Sequence, residues 1–370
     1  MTDKRAKKYN KIKLWFSIGE GIASFIMIFL FVISGLSLQL EKFLYSFLQN
    51  EYLVFIAFVI VAGITASGLF FPINYYTGFV LEHKYNLSNQ TFIKWLREDL
   101  KEVLVGGVIG VPLLLLFYFV LIKFEALWWL PFAIILFLFS VVLAQILPVL
   151  ILPLFYKITP VENEDLKERI LKLSADAGLK VENVFRFDMS KNTKKANAAF
   201  TGLGKTKRIL LGDTLLDNYD NDEIETVIAH ELGHYKRKHI IKNILIGTAS
   251  SFLTLFIIAY LYGISINWFR FNTITQIAAI PLISLWAMLI GIIQTPLSNM
   301  LSRKFEYEAD EYAVKTTNKK NSFISTLEKL NEQNLGDKEP HPFTEWFFYS
   351  HPSIKKRIAA IEKTAAKPIS

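Results

Sequence analysis

The chain has 370 residues, of which 52% are hydrophobic, 14% aromatic and 20% charged, with a mean hydropathy of +0.33; soluble chains carry about a quarter charged residues, so this balance points to a membrane protein. The absence of cysteine excludes a disulfide framework, a thiolate metal site and a cysteine nucleophile, leaving histidines and carboxylates for any metal. The net charge of +8 would suit a nucleic-acid partner in a soluble protein, but here the basic residues flank apolar runs, where lipid headgroups and orientation signals account for them; no nucleic-acid partner is expected.

Six apolar runs, near 14–38, 53–81, 103–123, 127–156, 243–263 and 277–300, approach or exceed the roughly 20 residues a helix needs to cross a bilayer. The first is too long for a signal-peptide core and lacks a clear small-residue cleavage site, so it reads as an uncleaved span. Glu20 within it either reaches the hydrated interface or lines a cavity. Pro72, Pro112 and Pro296 predict kinks, and Pro148 with Pro153 predicts a bend in the overlong fourth run. Six of the first thirteen residues are basic (Lys4, Arg5, Lys7, Lys8, Lys11, Lys13), whereas the loops on the other side carry little beyond Lys42, Lys123 and Arg270, which places the N-terminus inside. Residues 157–242 and 301–370 then share the cytoplasmic side. The chain divides into an N-terminal membrane domain, 1–156, with four spans, and a domain over 157–370 that two further spans interrupt.

Segment 161–177 has helical periodicity, with Leu166, Ile170 and Leu173 on one face and Gly178 as the stop. Segments 181–187, 197–204 and 207–216 read as strands. A helix is expected to begin near Asp222, with that side chain as its cap, and to run through VIAHELGHYKRKH, 227–239.

Within that helix, His230 and His234 are four residues apart and fall on one face, where both imidazoles can converge on one ion. Glu231 lies beside them, placed to take a proton from water at the ion. A third histidine ligand at the spacing used by metzincins is absent: Arg237 and Ile240 occupy those positions, and His239 is one residue out of register. A carboxylate from LSRKFEYEADEYAVK, 301–315, is the remaining route. Glu306 and Asp310 share a face there while Glu308 points elsewhere, so Glu306 is read as the third ligand and Asp310 as the acceptor that fixes a ligand imidazole. Taken alone, this segment would be an ordinary charged helix following a span. Three protein ligands leave a fourth position for water, the mark of a catalytic zinc site, with one Zn2+ per chain. Residues 235–239 read as the basic inner flank of the fifth span.

VLEHKYNLSNQTF (80–92), NAAFTGLGKTKRILLGDTLL (197–216), HELGH (230–234), FEYEAD (305–310) and SHPSIKKRI (350–358) occur together and in order, and through them the chain resembles the type I CAAX prenyl protease family of integral-membrane zinc metalloendopeptidases. The resemblance implies a mainly α fold: a polytopic membrane helical bundle or ring with a small cytoplasmic α+β, zincin-like catalytic domain. It supports His230, His234 and Glu306 as ligands, Glu231 as base and Asp310 behind them. It further implies that Asn197, Ala198, Ala199 and Phe200 form an edge strand that pairs with peptide substrate, and that His351 and Arg357 act catalytically, on the substrate or its oxyanion. Spacing alone reads His351-Pro352 as a helix start and Arg357 as solvated. Family members of eukaryotic type have seven helices around a water-filled chamber, one more than the six spans counted here. The expected substrate is a peptide or protein, lipid-anchored or membrane-proximal, in the bacterial cytoplasmic membrane, or in the endoplasmic reticulum if the source is eukaryotic. Two other functions fit less well: quality control of membrane proteins in the manner of HtpX-type proteases, and a non-catalytic channel or transporter stabilised by zinc, for which Glu231 would have no use.

Overall fold

The computed structural model describes residues 2–179, 181, 183–201 and 208–365. In lipid, backbone polar groups must be satisfied within the chain, and the apolar runs do this as long helices. These are α1 (Thr2–Ile33), α2 (Leu36–Tyr45), α3 (Glu51–Tyr75), α4 (Leu81–Lys84), α5 (Phe92–Phe124), α6 (Trp129–Ile146) and α7 (Leu152–Phe155). Tyr76–Val80 joins α3 to α4 through a π-helical turn, and Leu147–Ile151 joins α6 to α7 through another. Pro148 lies in the second of these, where its missing N–H interrupts the ordinary ladder, so the expected bend has a local cause.

The chain then forms β1 (Ile158–Pro160), α8 (Glu164–Asp176), β2 (Val184–Phe187), β3 (Ala198–Thr201), β4 (Arg208–Gly212), α9 (Asp213–Asn218), α10 (Asn221–Lys236), α11 (His239–Trp268), α12 (Pro281–Thr317), α13 (Lys320–Gln333), α14 (Pro342–Phe348) and α15 (Ile354–Ala365). Among the described residues, six helical stretches are long and apolar enough to cross a membrane: 3–33, 51–84, 92–127, 129–155, 239–268 and 277–317. Each contains most of one of the six expected runs, extended by polar turns.

α1, α3, α5, α6, α11 and α12 pack on one another in that order, and α12 returns to α1, closing a ring of six. One end of the ring is dry. Val54, Phe55, Tyr118, Leu121, Trp128, Tyr262 and Leu282 converge there, each at most 2% exposed. α2 caps this far end; at ten residues it is about 15 Å long, too short to cross. Glu41 on α2 fastens the cap by accepting from Gln276 Nε2 and the Ile277 N–H, both at 3.0 Å. Away from this plug the packing stops: no residue of 59–80, 92–116 or 240–257 is buried. The ring therefore encloses space along these stretches instead of a packed core, and Glu20, half-buried on α1, lies in this part of it.

At the near end sits a four-stranded sheet in the order β1-β2-β4-β3, with β2 and β4 parallel and the two outer pairings antiparallel. α8 covers it, capped by Asn163, with Leu166, Ile170 and Leu173 inward and Gly178 at φ +79 ending it as expected. Tyr9 Oη and the ammonium groups of Lys13 and Lys195 meet on Glu82, at 2.5, 3.1 and 2.9 Å. The Asn89 N–H donates to Asn192 O and the Lys194 N–H to Leu87 O, so segment 80–92 clasps the sheet domain to the ring.

Three expectations change. Residues 213–218 are helical, not the end of a strand, because Gly212 turns the chain into α9. The helix expected from Asp222 through His239 is capped by Asp220, in a capping box with Glu223, while Asp222 lies in its first turn and pairs with Arg169 and Lys319; it ends at Lys236, because Lys238 at φ 58 breaks the chain before α11 begins at His239. β1 adds a strand where none was expected. Residues 182, 202–204 and 207, read as strand, lie outside the described residues.

Candidate metal centre

α10 and α12 cross closely because small residues meet at the crossing. A Cβ built on Gly233 would come within 2.9 Å of Ala309 Cα, and Ala309 and Ala313 are fully buried. This brings Glu306 under the two histidines. His230 Nε2 and His234 Nε2 are 3.3 Å apart, His234 Nε2 is 3.3 Å from Glu306 Oε1, and His230 Nε2 is 3.5 Å from Glu306 Oε2.

These separations test whether a metal fits. Ligand bonds of about 2.05 Å at tetrahedral angles put ligand atoms about 3.3 Å apart. The separation of the two imidazole nitrogens matches one edge of such a tetrahedron, and each imidazole faces its own oxygen of the Glu306 carboxylate at a similar distance, so one ligand atom from each of the three residues falls within 4.8 Å of the others. Glu306 Oε2 is also buried without a hydrogen bond of acceptable geometry, although nitrogens of His230, His351 and Arg357 surround it. Such an orphaned oxygen is costly unless a cation completes it. The residues present fit a zinc ion.

Behind His230, Nδ1 lies 2.9 Å from Asp310 Oδ1, the arrangement expected of Asp310. Arg357 grips that carboxylate with two nitrogens, Nε at 2.8 Å from Oδ2 and Nη2 at 2.5 Å from Oδ1. At 9% exposure Arg357 is not the solvated residue that spacing suggested; only Nη1, 3.7 Å from Glu306 Oε2, is turned to the triangle. Burial disfavours its charge, but Asp310 outweighs burial and holds the guanidinium protonated. Burial likewise lowers the pKa of His230, yet hydrogen bonds to Asp310 and Glu306 prevail and push it up to about 9, so in the metal-free protein an incoming cation displaces a proton.

Glu231 is half-buried and takes no hydrogen bond or ion pair from any described residue. His351 is brought to the same place from the segment between α14 and α15: its Nδ1 is 2.9 Å from Glu306 Oε2 while the side chain stays 64% exposed. Of the four residues expected on an edge strand, Ala198, Ala199 and Phe200 lie on β3, which among the described residues pairs only with β4 and so is an edge of the sheet. Asn197 precedes the strand, and its carbonyl accepts the Gly212 N–H at 2.9 Å. The side chain of Phe200 lies outside the described residues.

One part of the sequence reading is overturned. His239 is not part of an exposed basic flank: it is 1% exposed, its Nδ1 is 3.0 Å from His234 Nδ1, and its Nε2 is 2.9 Å from Glu308 Oε2. The signal was a histidine five residues past a ligand, just where the chain re-enters a helix. Glu308 does point away from the triangle, as its position on α12 requires, but toward α11.

The comparisons agree with this geometry. Residues 160–365 match the model of Peptidase family M48, and residues 2–157 match one described as CAAX prenyl protease N-terminal, five membrane helices. That stretch of this chain holds four long helices plus the ten-residue α2. The chain is 30% identical to YhfN of Bacillus subtilis, an uncharacterised metalloprotease, over 98% of this chain and 86% of that one. It is 34% identical to CAAX prenyl protease 1 of Saccharomyces cerevisiae over 80% of this chain and 69% of the relative. The crystal structure of S. mikatae Ste24p superposes with a TM-score of 0.88 at 27% identity, covering 98% of this chain and 89% of that one. The chain is a multi-pass membrane metalloendopeptidase and belongs to peptidase family M48.

Proposed function

We propose that His230, His234 and Glu306 hold one zinc ion and that Glu231 is the general base for hydrolysis of peptide bonds in lipid-anchored or membrane-proximal substrates. The carrying observation is that ligand atoms of His230, His234 and Glu306 converge within 4.8 Å of one another, with Glu231, which takes no hydrogen bond or ion pair among the described residues, next to His230 in the chain. When bound, zinc acidifies a water and polarises the scissile carbonyl. Glu231 accepts the proton of the attacking water on its carboxylate as the new C–O bond forms and the carbonyl oxygen takes the negative charge, then delivers that proton to the amide nitrogen, whose C–N bond breaks as the oxyanion collapses to a carboxyl group. His351, exposed at the open side of the triangle, donates to the oxyanion, and Arg357 steadies Glu306 and Asp310 and directs Nη1 the same way. An extended peptide adds to the free edge of β3 at Ala198–Phe200, starting beside Asn197, through backbone hydrogen bonds that read little of the side chains.

The relatives named CAAX prenyl protease 1, and the segment 80–92 that the chain shares with that type, favour substrates with a prenylated C-terminus. The basic N-terminus favours an orientation with the sheet domain in the cytoplasm, and the resemblance to a Bacillus protein favours a bacterial cytoplasmic membrane. Glu231→Gln tests the mechanism: zinc content should stay at one per chain while turnover falls about 10²–10⁴-fold; a variant that cleaves like the parent refutes Glu231 as base. Mass spectrometry of products from a matched peptide pair tests the substrate. Cleavage three residues from the C-terminus of the prenylated peptide alone supports CAAX processing, and equal cutting of both at scattered sites would establish quality control in its place.

A further inference from the structure

His234 meets the metal triangle through Nε2, so its proton must sit on Nδ1. That N–H faces His239 Nδ1 at 3.0 Å, which must then be the acceptor. The proton of a neutral His239 is consequently on Nε2, where it donates to Glu308 Oε2 at 2.9 Å. A single arrangement of hydrogens satisfies every contact from ligand to carboxylate.

The ring of His239 has little freedom to leave this position. It stacks on Phe305 with 4.1 Å between centroids and 9° between planes. Lys238, in the left-handed region at φ 58, turns α10 into α11 within two residues and sets His239 at the first position of the membrane helix. On α12, Glu306 and Asp310 lie four residues apart and face α10, while Glu308, between them, is rotated by about 200° from each and reaches α11. Lys242, one turn into α11, approaches the Glu308 carboxylate to 3.8 Å.

We infer that His239 and Glu308 form a positioning pair for the metal ligand His234, fixing its tautomer and ring orientation and tying the metal site to the first turn of the fifth membrane span. This rests on the zinc reading above. α12 then supports both histidines, His230 through Asp310 directly and His234 through Glu308 by way of a neutral imidazole. Residues that orient ligand imidazoles in this way typically govern metal affinity by 10–100-fold.

The experiment measures Zn2+ dissociation from full-length protein in detergent with a competing chelator, alongside the thermal midpoint of the metal-free protein. His239→Phe keeps the stack on Phe305 and removes the acceptor, and should weaken zinc binding 10–100-fold with no drop in the metal-free midpoint. His239→Asn restores an oxygen near the Nδ1 position and should recover most of the affinity; Glu308→Gln, which keeps an acceptor for His239 Nε2, should fall between. Zinc affinity in His239→Phe equal to the parent's overturns the inference, and so does a loss in His239→Phe and His239→Asn alike that tracks a lowered metal-free midpoint, which would mark a merely structural residue. The parent is the control: if it binds no zinc, the metal reading itself has failed, and not only this extension of it.

Discussion

The two ends of the six-helix ring solve opposite problems. At the far end Phe55, Leu121, Trp128 and Tyr262 are packed away from solvent, and two of the polar groups there are used internally: Tyr262 Oη donates to Ile274 O at 2.6 Å, and Glu41 is held by Gln276 and Ile277. At the near end the closures are made of charge. Glu82 gathers Tyr9, Lys13 and Lys195, and the metal triangle lies beyond, with His351 exposed beside it. The difference teaches where water and substrate enter. A hydrolytic site must be wetted from the end whose contacts tolerate water, and the unpacked stretches of α3, α5 and α11 extend that hydrated region into the ring instead of through it.

Removing the metal gives the largest expected separation of the two ends. Chelation should abolish peptide cleavage, and added Zn2+ should restore it, while tryptophan fluorescence from the far-end plug stays unchanged; a far end that loosens on chelation would mean the two regions are one cooperative unit. Trp128→Ala attacks the other end. Emptying that fully buried site should cost about 3–5 kcal/mol, read as a lowered unfolding midpoint, with one zinc per chain retained in the protein that remains folded.

Glu82→Gln sharpens the near-end half of the comparison. The carboxylate accepts charge-assisted contacts from three side chains, so about 1.5–3 kcal/mol should be lost, together with faster proteolytic nicking of segment 80–92. An unchanged nicking rate would show that the backbone pairing of 80–92 with 190–195 suffices as a clasp. The smallest effect belongs to Asp222. Hydrogen bonds from Lys319 and Arg169 hold its carboxyl below the usual range. Its folded-state pKa is depressed, so its contribution is present above the unfolded value of about 3.9 and is lost as pH falls through the folded value. Being largely exposed, it should contribute at most about 1 kcal/mol. Unfolding midpoints of the parent and Asp222→Asn should differ slightly near neutral pH and converge in acid; a gap that widens in acid would reverse the sign of this linkage.

The meeting of His230, His234 and Glu306 was legible because helical spacing is a strong constraint: two histidines four apart share a face, and Glu306 with Asp310 does the same on a second helix. The spans were legible for a similar reason, since lipid demands long apolar runs. His239 was not, because its role depends on how tightly the chain turns between α10 and α11, and a backbone turn at Lys238 leaves no periodic trace. The Glu82 clasp was hidden for another reason: Lys13 belongs to a basic run whose orientation role already explained it, and nothing local pairs Tyr9 with a residue 73 positions away. β1 has three residues, too few for alternation to register. Residues 213–216, Asp-Thr-Leu-Leu, are too short a stretch for a period of two to be told from one of 3.6, and only the turn at Gly212 decides between strand and helix.

α12 runs unbroken for 37 residues, roughly 55 Å, from the far-end plug, where Leu282 is buried, to Glu306 and Asp310. The same rod thus carries a stretch long and apolar enough to span lipid at one end and the carboxylates of the proposed metal site at the other. A bilayer too thin or too thick for its apolar part must tilt the helix or deform itself, and tilt at the membrane end displaces Glu306 against α10 at the other. Acyl-chain length thereby becomes a variable of the catalytic geometry: turnover in vesicles should peak at one lipid thickness and fall on both sides of it, with the enzyme acting as a gauge of the membrane it works in.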